Sequence, residues 1–185
     1  LIEQQHPGAI DDGPRERGIG GRRRRGSSWG SADDTLRNPG WIHGNGTAQQ
    51  ADLLRVGLAG TLENVEITDR NGQRVPLSRI DYNGQPAGYA SQPAEVVNYV
   101  ENHDNQTLFD NNATKLPRDA SKEDRARVQH LANALVAFSQ GIAYFHAGQE
   151  ILRSKSLDRN SYDSGDWFNR IDWTLADTGF ANGFG

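Results

Sequence analysis

A histidine and an aspartate stand side by side directly after a run of strand-forming residues. The run Val96–Val100 combines β-branched and aromatic side chains, which pack well on a pleated surface, and it predicts a buried strand. His103 and Asp104 follow where that strand would end. Adjacent side chains leave the backbone in different directions, so the imidazole and the carboxylate can contact different parts of one ligand. The alternative is a polar loop with an Asx turn.

The segment after this pair predicts a loop followed by a helix. Leu108–Pro117 is interpreted as a loop. Ser121 and Asp124 then form a capping-box-like pair, with Asp in place of the usual Glu, and the helix is expected to run to Phe138 before Gly141 ends it. The apolar face predicted for this helix comprises Val128, Leu131, Ala132, Leu135 and Val136.

A second short buried strand is predicted at Ile142–Phe145, and it also ends in polar residues, among them His146 and Glu150. Two strands joined through a helix form a βαβ unit, in which the strands run parallel. His103–Asp104 and His146–Glu150 are therefore expected to emerge at the same edge of the sheet, which in a parallel barrel is the functional face.

Upstream of this unit the chain predicts smaller elements. Thr47–Ala59 is typical of a short capped helix that ends before Gly60. Val65–Thr68 and an extended piece from Val75 to Ile80 flank Asn71–Gly72, a dipeptide typical of β-hairpin turns. Asp81–Pro93 is interpreted as a loop that leads into the central strand.

The tail, Leu152–Gly185, interleaves aromatic rings with carboxylates and amides. Aromatic rings stack on the apolar faces of pyranoses, while polar groups take the hydroxyls. This composition favours a sugar ligand.

Composition limits the possible classes of protein. A chain of 185 residues is long enough for one domain, and 35% hydrophobic residues with 21 glycines indicate long loops around a modest core. The absence of cysteine excludes disulfides and thiolate metal sites, which fits a secreted bacterial protein without excluding the cytosol. A net charge of −4 argues weakly against nucleic-acid binding, and no apolar run is long enough to span a membrane.

Residues 1–46 differ in composition from the rest of the chain. They are rich in glycine and contain the run Arg22–Arg25, which favours a solvated arm, with phosphate contact as the competing hypothesis. Gly18–Gly21 lacks the preceding strand and the glycine spacing of a dinucleotide loop, which excludes that site. Because the chain begins at Leu1 and contains no methionine, we expect it to be a piece of a longer protein.

The segment Tyr99–Thr107, Tyr-Val-Glu-Asn-His-Asp-Asn-Gln-Thr, resembles the seventh-strand motif of the α-amylase superfamily in the form found in pullulanases and limit dextrinases. Three further blocks resemble the same branch in order and spacing. They are Val56–Gly60, Asp81–Tyr89, and Leu152–Ser156 followed by Ser161–Arg170. The resemblance covers the chain from about Asp52 to its end.

This resemblance implies an α/β fold, with residues 47–185 as the C-terminal portion of a (β/α)8 TIM-type barrel that is incomplete in this chain. It implies retaining hydrolysis of α-1,6-glucosidic linkages in pullulan, amylopectin, glycogen or limit dextrins. Asp104 is then expected to stabilise the transition state, and His103 to bind hydroxyls of the same sugar. Asp166, Trp167 and Asn169 are the other expected substrate contacts. Glu150 is expected to anchor loops.

The family's Gly-Phe-Arg-x-Asp nucleophile block and its acid/base segment are not found. Retaining hydrolysis needs two carboxylates about 5 Å apart, so we expect the parent protein to be the enzyme and this chain alone to be inactive. The arginine run also stands where the resemblance implies a segment rich in Asn, Asp and Arg, and residues 1–26 are interpreted as a divergent tract or a frame error.

The sequence leaves three hypotheses about function open. The first is a fragment of a debranching enzyme that acts on an α-glucan and is expected to be monomeric as the parent protein. Export or display on a bacterial cell is favoured for that parent, and retention for glycogen turnover stays open. The second is a non-catalytic α-glucan-binding fragment of the same fold, and the third a basic-arm interaction protein. No metal ligands are assigned. Calcium binding stays open, because carboxylates are present but no calcium-loop spacing occurs.

Overall fold

A computed structural model describes residues 3–4 and 40–181 of the chain. Its largest sheet has the strand order β1 (Glu3–Gln4), β6 (Val97–Tyr99) and β7 (Ile142–Ala143). β6 and β7 pair in parallel, with Val97 opposite Ile142, whereas β1 pairs antiparallel with β6. The predicted parallel pair is therefore confirmed.

Two predicted helices are confirmed together with their caps. Helix α1 (Ala48–Leu58) begins after Thr47, whose side chain accepts a hydrogen bond from the Gln50 N–H group while the Gln50 side chain accepts one from the Thr47 N–H group. Helix α3 (Lys122–Phe138) begins after Ser121, whose hydroxyl accepts from the Asp124 N–H group. Side-chain oxygens thus satisfy backbone donors that have no partner within either helix.

The loop predicted at Leu108–Pro117 is wrong, because Leu108–Lys115 forms helix α2. Thr107 caps this helix by accepting a hydrogen bond from the Asp110 N–H group at 3.2 Å. The two asparagines in the segment have low helix propensity. Tertiary contact overrides that preference, since the buried Asn112 side chain donates to Gln129 Oε1 on α3 at 3.0 Å.

The second strand is shorter and less buried than the sequence predicts. β7 contains only Ile142–Ala143, and the Ile142 side chain is 50% exposed. Tyr144 and Phe145 follow it and are exposed as well. Within the described residues β7 pairs with β6 alone, so its other edge and much of its apolar surface have no neighbour.

The predicted hairpin is confirmed as β2 (Glu66–Thr68) and β3 (Arg74–Pro76), which pair antiparallel. The Gly72 N–H group donates to the Asp69 carbonyl, and Gly72 has φ +77°, so the turn uses a conformation that favours glycine. β3 ends earlier than predicted, because Leu77–Arg79 forms a 3₁₀ turn. The predicted loop from Asp81 contains a second small hairpin of β4 (Asp81–Tyr82) and β5 (Gln85–Pro86).

The apolar core lies between α1 and these hairpins. Its buried members are Val56, Leu77, Ile80 and Ala87. On α3 the apolar face is only partly as predicted. Ala132 and Val136 are buried, but Leu131 is 42% exposed, and Gln129 is buried in the face instead. The remaining helix, α4 (Asp166–Asn169), is a single turn near the end of the described region.

The described strands form one mixed three-stranded sheet and two antiparallel hairpins, and they do not form a closed barrel. None of the helices in residues 40–181 is long and apolar enough to cross a membrane. Arg22–Arg25, Gly18–Gly21 and most of the proposed arm at 1–46 lie outside the described residues.

Candidate functional site

The His103–Asp104 pair lies in an exposed loop that leaves the C-terminal end of β6. Asn102 Oδ1 accepts a hydrogen bond from the Asp104 N–H group at 2.8 Å, which is an Asx turn. Asp104 Oδ1 accepts from the Asn105 N–H group at 3.0 Å, and Asn105 has φ +60°. The turn therefore exists, and it leaves both side chains open to solvent. An Asx turn and a ligand-binding role are compatible here.

The carboxylate of Glu101, directly before this loop, is buried. Its side chain has 0% exposure. Glu101 Oε2 accepts a hydrogen bond from the Leu108 N–H group at 2.7 Å, and Oε1 lies 2.7 Å from His146 Nδ1. Sequence reasoning assigned Glu101 no role. The position of Glu101 within the Tyr99–Thr107 motif indicated that it could have a role. However, no local sequence pattern shows which polar residue of the motif has a buried side chain.

The contact between Glu101 and His146 joins the segments that follow β6 and β7. The prediction that the segments after the two strands emerge at the same edge of the sheet is thus confirmed for His146. Glu150 is exposed, and its Oε2 accepts from the Gly148 N–H group at 3.1 Å, so it stabilises the turn in which it lies.

A second buried carboxylate holds the segment at residues 153–156 against α2. Asp110 Oδ2 accepts from the Lys155 N–H group at 2.8 Å, and its Oδ1 accepts from the Ser154 hydroxyl. Arg153 donates to the carbonyl oxygen of Asn169. Burial lowers the pKa of the Arg153 guanidinium, and the nearby Glu101 charge opposes that shift. Neither Asp110 nor Arg153 was assigned a role from the sequence.

The predicted sugar contacts of the tail lie on and around α4. Trp167 is 64% exposed, and Asp166 is exposed beside it. The Asn169 side-chain amide donates to the carbonyl oxygens of Ser161 at 2.8 Å and Ser164 at 2.9 Å. The Asn169 amide nitrogen therefore stabilises the local backbone, while the exposed Trp167 ring packs edge to face with Phe168 at a centroid distance of 5.6 Å. All three residues remain predicted contacts.

Two observations connect the tail with the His103–Asp104 loop. Arg159 Nη2 donates to Asn105 Oδ1 at 3.3 Å. Arg153, which contacts the Asn169 carbonyl, interacts electrostatically with Glu101. Residues of the tail thus interact with Asn105 in the loop and with Glu101 at its beginning. In residues 40–181 no group of three or more His, Asp or Glu side chains is arranged to hold a metal ion.

This arrangement offers an exposed carboxylate and imidazole on a loop whose two ends meet at a buried carboxylate. No protein-family model matches the chain. Individual proteins do. The chain is 51% identical over 130 residues to pullulanase from Klebsiella aerogenes, which corresponds to 70% of this chain and 12% of that protein. It is 44% identical over 148 residues to chloroplastic pullulanase 1 from Arabidopsis thaliana, which is 76% of this chain and 15% of that protein.

The fold matches as well. The crystal structure of Klebsiella pneumoniae pullulanase complexed with maltotriose superimposes with a TM-score of 0.78 at 43% identity, over 84% of this chain and 16% of that chain. The chain therefore spans less than a fifth of the length of these relatives.

Proposed function

Because this chain is homologous to a short segment of the pullulanases, we propose that it belongs to an enzyme that hydrolyses α-1,6-glucosidic linkages in branched α-glucans. In this proposal Asp104 stabilises positive charge on the reacting sugar, and His103 binds hydroxyls of the same sugar. Asp166, Trp167 and Asn169 line the neighbouring sugar positions. The described residues correspond to part of a (β/α)8 barrel.

The main observation in support of the proposal is the position of Asp104. It follows the C-terminal end of a strand in a parallel pair, and its side chain is exposed on an ordered turn. In parallel barrels this is the edge at which ligands bind. A carboxylate there is available to a substrate without first breaking a buried interaction.

The chemistry fits these residue types. Glycoside hydrolysis passes through a transition state with oxocarbenium character, in which positive charge develops on the sugar ring. An ionised carboxylate placed beside that charge lowers its energy more than it lowers the energy of the neutral substrate. The exposed Trp167 ring provides an apolar face on which a pyranose can stack.

The nucleophile and the acid/base carboxylate of retaining hydrolysis are assigned to the rest of the parent protein. The family's nucleophile block is absent from the sequence. We therefore expect no reducing sugar to be released from pullulan by the 185-residue chain alone. Measurable release that is abolished in Asp104→Asn would overturn this assignment of roles.

A non-catalytic α-glucan-binding fragment is the second candidate, and the exposed Trp167 side chain favours it. The two candidates differ in what Asp104 does. A transition-state role predicts that an iminosugar, a glucose analogue with a protonated ring nitrogen, binds more tightly than maltotriose and loses about 10-fold or more in affinity in Asp104→Asn. A binding module predicts equal, small effects on both ligands. Calorimetric titration distinguishes them.

Trp173 provides a matched control for the stacking residue, since it is 61% exposed and Trp167 is 64% exposed. Trp167→Ala should weaken maltotriose binding by about 5-fold or more, because stacking contributes energy beyond area burial. Trp173→Ala should leave the affinity unchanged. Equal losses in the two variants would contradict the assignment of Trp167.

A further inference from the structure

We propose that Glu101 is a positioning residue whose buried carboxylate closes the loop from Glu101 to Leu108, and so determines how His103 and Asp104 are presented. The loop begins at Glu101 itself, and the Leu108 N–H group at its far end donates to Glu101 Oε2 at 2.7 Å. One side chain therefore ties the beginning of the loop to its end, with His103 and Asp104 between them.

The second oxygen of the same carboxylate fixes the closed loop to the rest of the protein. Glu101 Oε1 lies 2.7 Å from His146 Nδ1, in the segment after β7. Arg153 and Lys155 also interact electrostatically with Glu101. A buried carboxylate is costly unless it has such partners. Glu101, which follows β6, thus contacts the segment after β7 and the beginning of α2.

Other contacts of the loop are local or peripheral. In the part of the chain that the structure describes, the Asn102 and Asp104 side chains accept hydrogen bonds from backbone groups of the loop, and Arg159 contacts Asn105 from an exposed position at 3.3 Å. Within the described residues, the Glu101 carboxylate is the group that joins the two ends of this loop. Removing it should free the segment 102–106 and leave the helices intact.

Three variants test the geometry. Glu101→Leu removes both hydrogen bonds. Glu101→Gln keeps an oxygen that can accept from the Leu108 N–H group and places an amide N–H group where it can donate to His146 Nδ1. Glu95→Leu is the matched control, because Glu95 also accepts two hydrogen bonds, at 2.8 Å from the N–H and hydroxyl groups of Ser91, but it is exposed.

The measurement is NMR on the complete 185-residue chain. Amide exchange reports the Leu108 hydrogen bond, backbone order parameters report motion of residues 102–106, and the buried Val136 amide of α3 reports the fold. In Glu101→Leu we expect exchange at Leu108 to accelerate about 10-fold or more beyond any change at Val136, and the loop order parameters to fall. Glu101→Gln should recover most of the protection, and Glu95→Leu should match the wild type.

Unchanged Leu108 exchange in Glu101→Leu would overturn the proposal. So would an equal loss of protection at Leu108 and Val136 in both Glu101 variants, because Glu101 would then stabilise the whole fold without positioning the loop.

The consequence for ligand binding rests on the proposed function, and a separate titration tests it. Glu101→Leu should weaken iminosugar binding about 10-fold, with partial recovery in Glu101→Gln. If the wild-type chain binds neither sugar while Leu108 exchange responds as expected, the positioning role of Glu101 is supported and the proposed function fails. Failure of the positioning role of Glu101 and failure of the proposed function therefore give different results.

Discussion

The region from Thr47 to Ala90 and the region from Val96 to Asn169 differ in the balance of apolar and polar side chains that they bury. The first packs α1 against the hairpins through an apolar cluster that includes Val56 and Leu77. The second buries carboxylates and amides in pairs distant in sequence, such as Glu101 with His146 and Asn112 with Gln129.

The difference has a physical consequence. Apolar burial is non-directional and roughly proportional to area, so the first region can relax around small changes. Hydrogen bonds between buried polar groups are directional, and a group left without its partner is costly. The loop that carries His103 and Asp104 belongs to the second region, where stability depends more on the orientation of hydrogen-bonding side chains than on the volume that they fill.

The largest expected effect lies in the apolar region. Leu77 has 0% exposure, and Leu77→Ala should lower the free energy of unfolding by about 3.5 kcal/mol, because lost burial and a residual cavity add together. Leu77→Ile keeps the volume and should cost less than about 1.5 kcal/mol. Urea denaturation followed by circular dichroism measures both. Similar losses in the two variants would show that shape, and not volume, limits this core.

The polar region should respond to chemistry more than to volume. Asp110→Ala leaves the buried Lys155 N–H group and Ser154 hydroxyl without an acceptor, and should cost about 3 kcal/mol. Asp110→Asn has nearly the same shape and retains one acceptor oxygen, so it should recover part of that loss. Urea midpoints of the two variants measure the difference. If Asn were no better than Ala, the carboxylate charge itself would be required.

His43 couples the polar region to pH. Its Nδ1 accepts from the Gly40 N–H group at 2.9 Å, and its Nε2 lies 3.0 Å from Asn112 Oδ1, an arrangement that fits neutral imidazole. Burial lowers the pKa of His43, opposed by the Asn112 hydrogen bond. Below its unfolded pKa of about 6.5, the unfolded chain binds more protons than the folded chain. The stabilisation that neutral His43 provides is therefore fully present above that pH, and it is lost as the pH falls through the folded pKa.

Urea midpoints at high and low pH check this expectation. The fall in stability between pH 7.5 and 5.5 should be smaller in His43→Gln than in the wild type. His130→Gln, at an exposed position on α3, should behave like the wild type. Parallel pH profiles for the wild type and His43→Gln would contradict the role of His43.

The smallest effect is expected at the surface of the hairpin. Arg74 Nε lies 2.7 Å from Glu66 Oε2 across β2 and β3, but the Arg74 side chain is 76% exposed. Solvent screens such pairs, so Arg74→Gln should change the free energy of unfolding by about 0.3 kcal/mol. Differential scanning calorimetry would detect a larger loss, which would mean that the hairpin depends on charge as the second region does.

Local signals predicted several elements correctly. Thr47 and Ser121 as helix caps, the turn around Gly72 and the parallel pairing of β6 with β7 all follow from short-range chemistry or from connectivity. The errors at Leu108–Lys115 and Ile142–Phe145 have a common cause. Whether those residues form a helix or are buried depends on neighbours outside the local segment, as in the contact of Asn112 with Gln129, 17 residues further along the chain.

The sequence by itself determined helices α1 and α3 with their caps, the hairpin turn and the position of His103 and Asp104 after a strand, because each depends on residues close together in the chain. Only the tertiary structure decided that Glu101 turns inward to Leu108 and His146 while Asp104 stays in solvent. Both are carboxylates in one polar run. Their different surroundings arise from the packing of segments 45 residues apart, which no local pattern encodes.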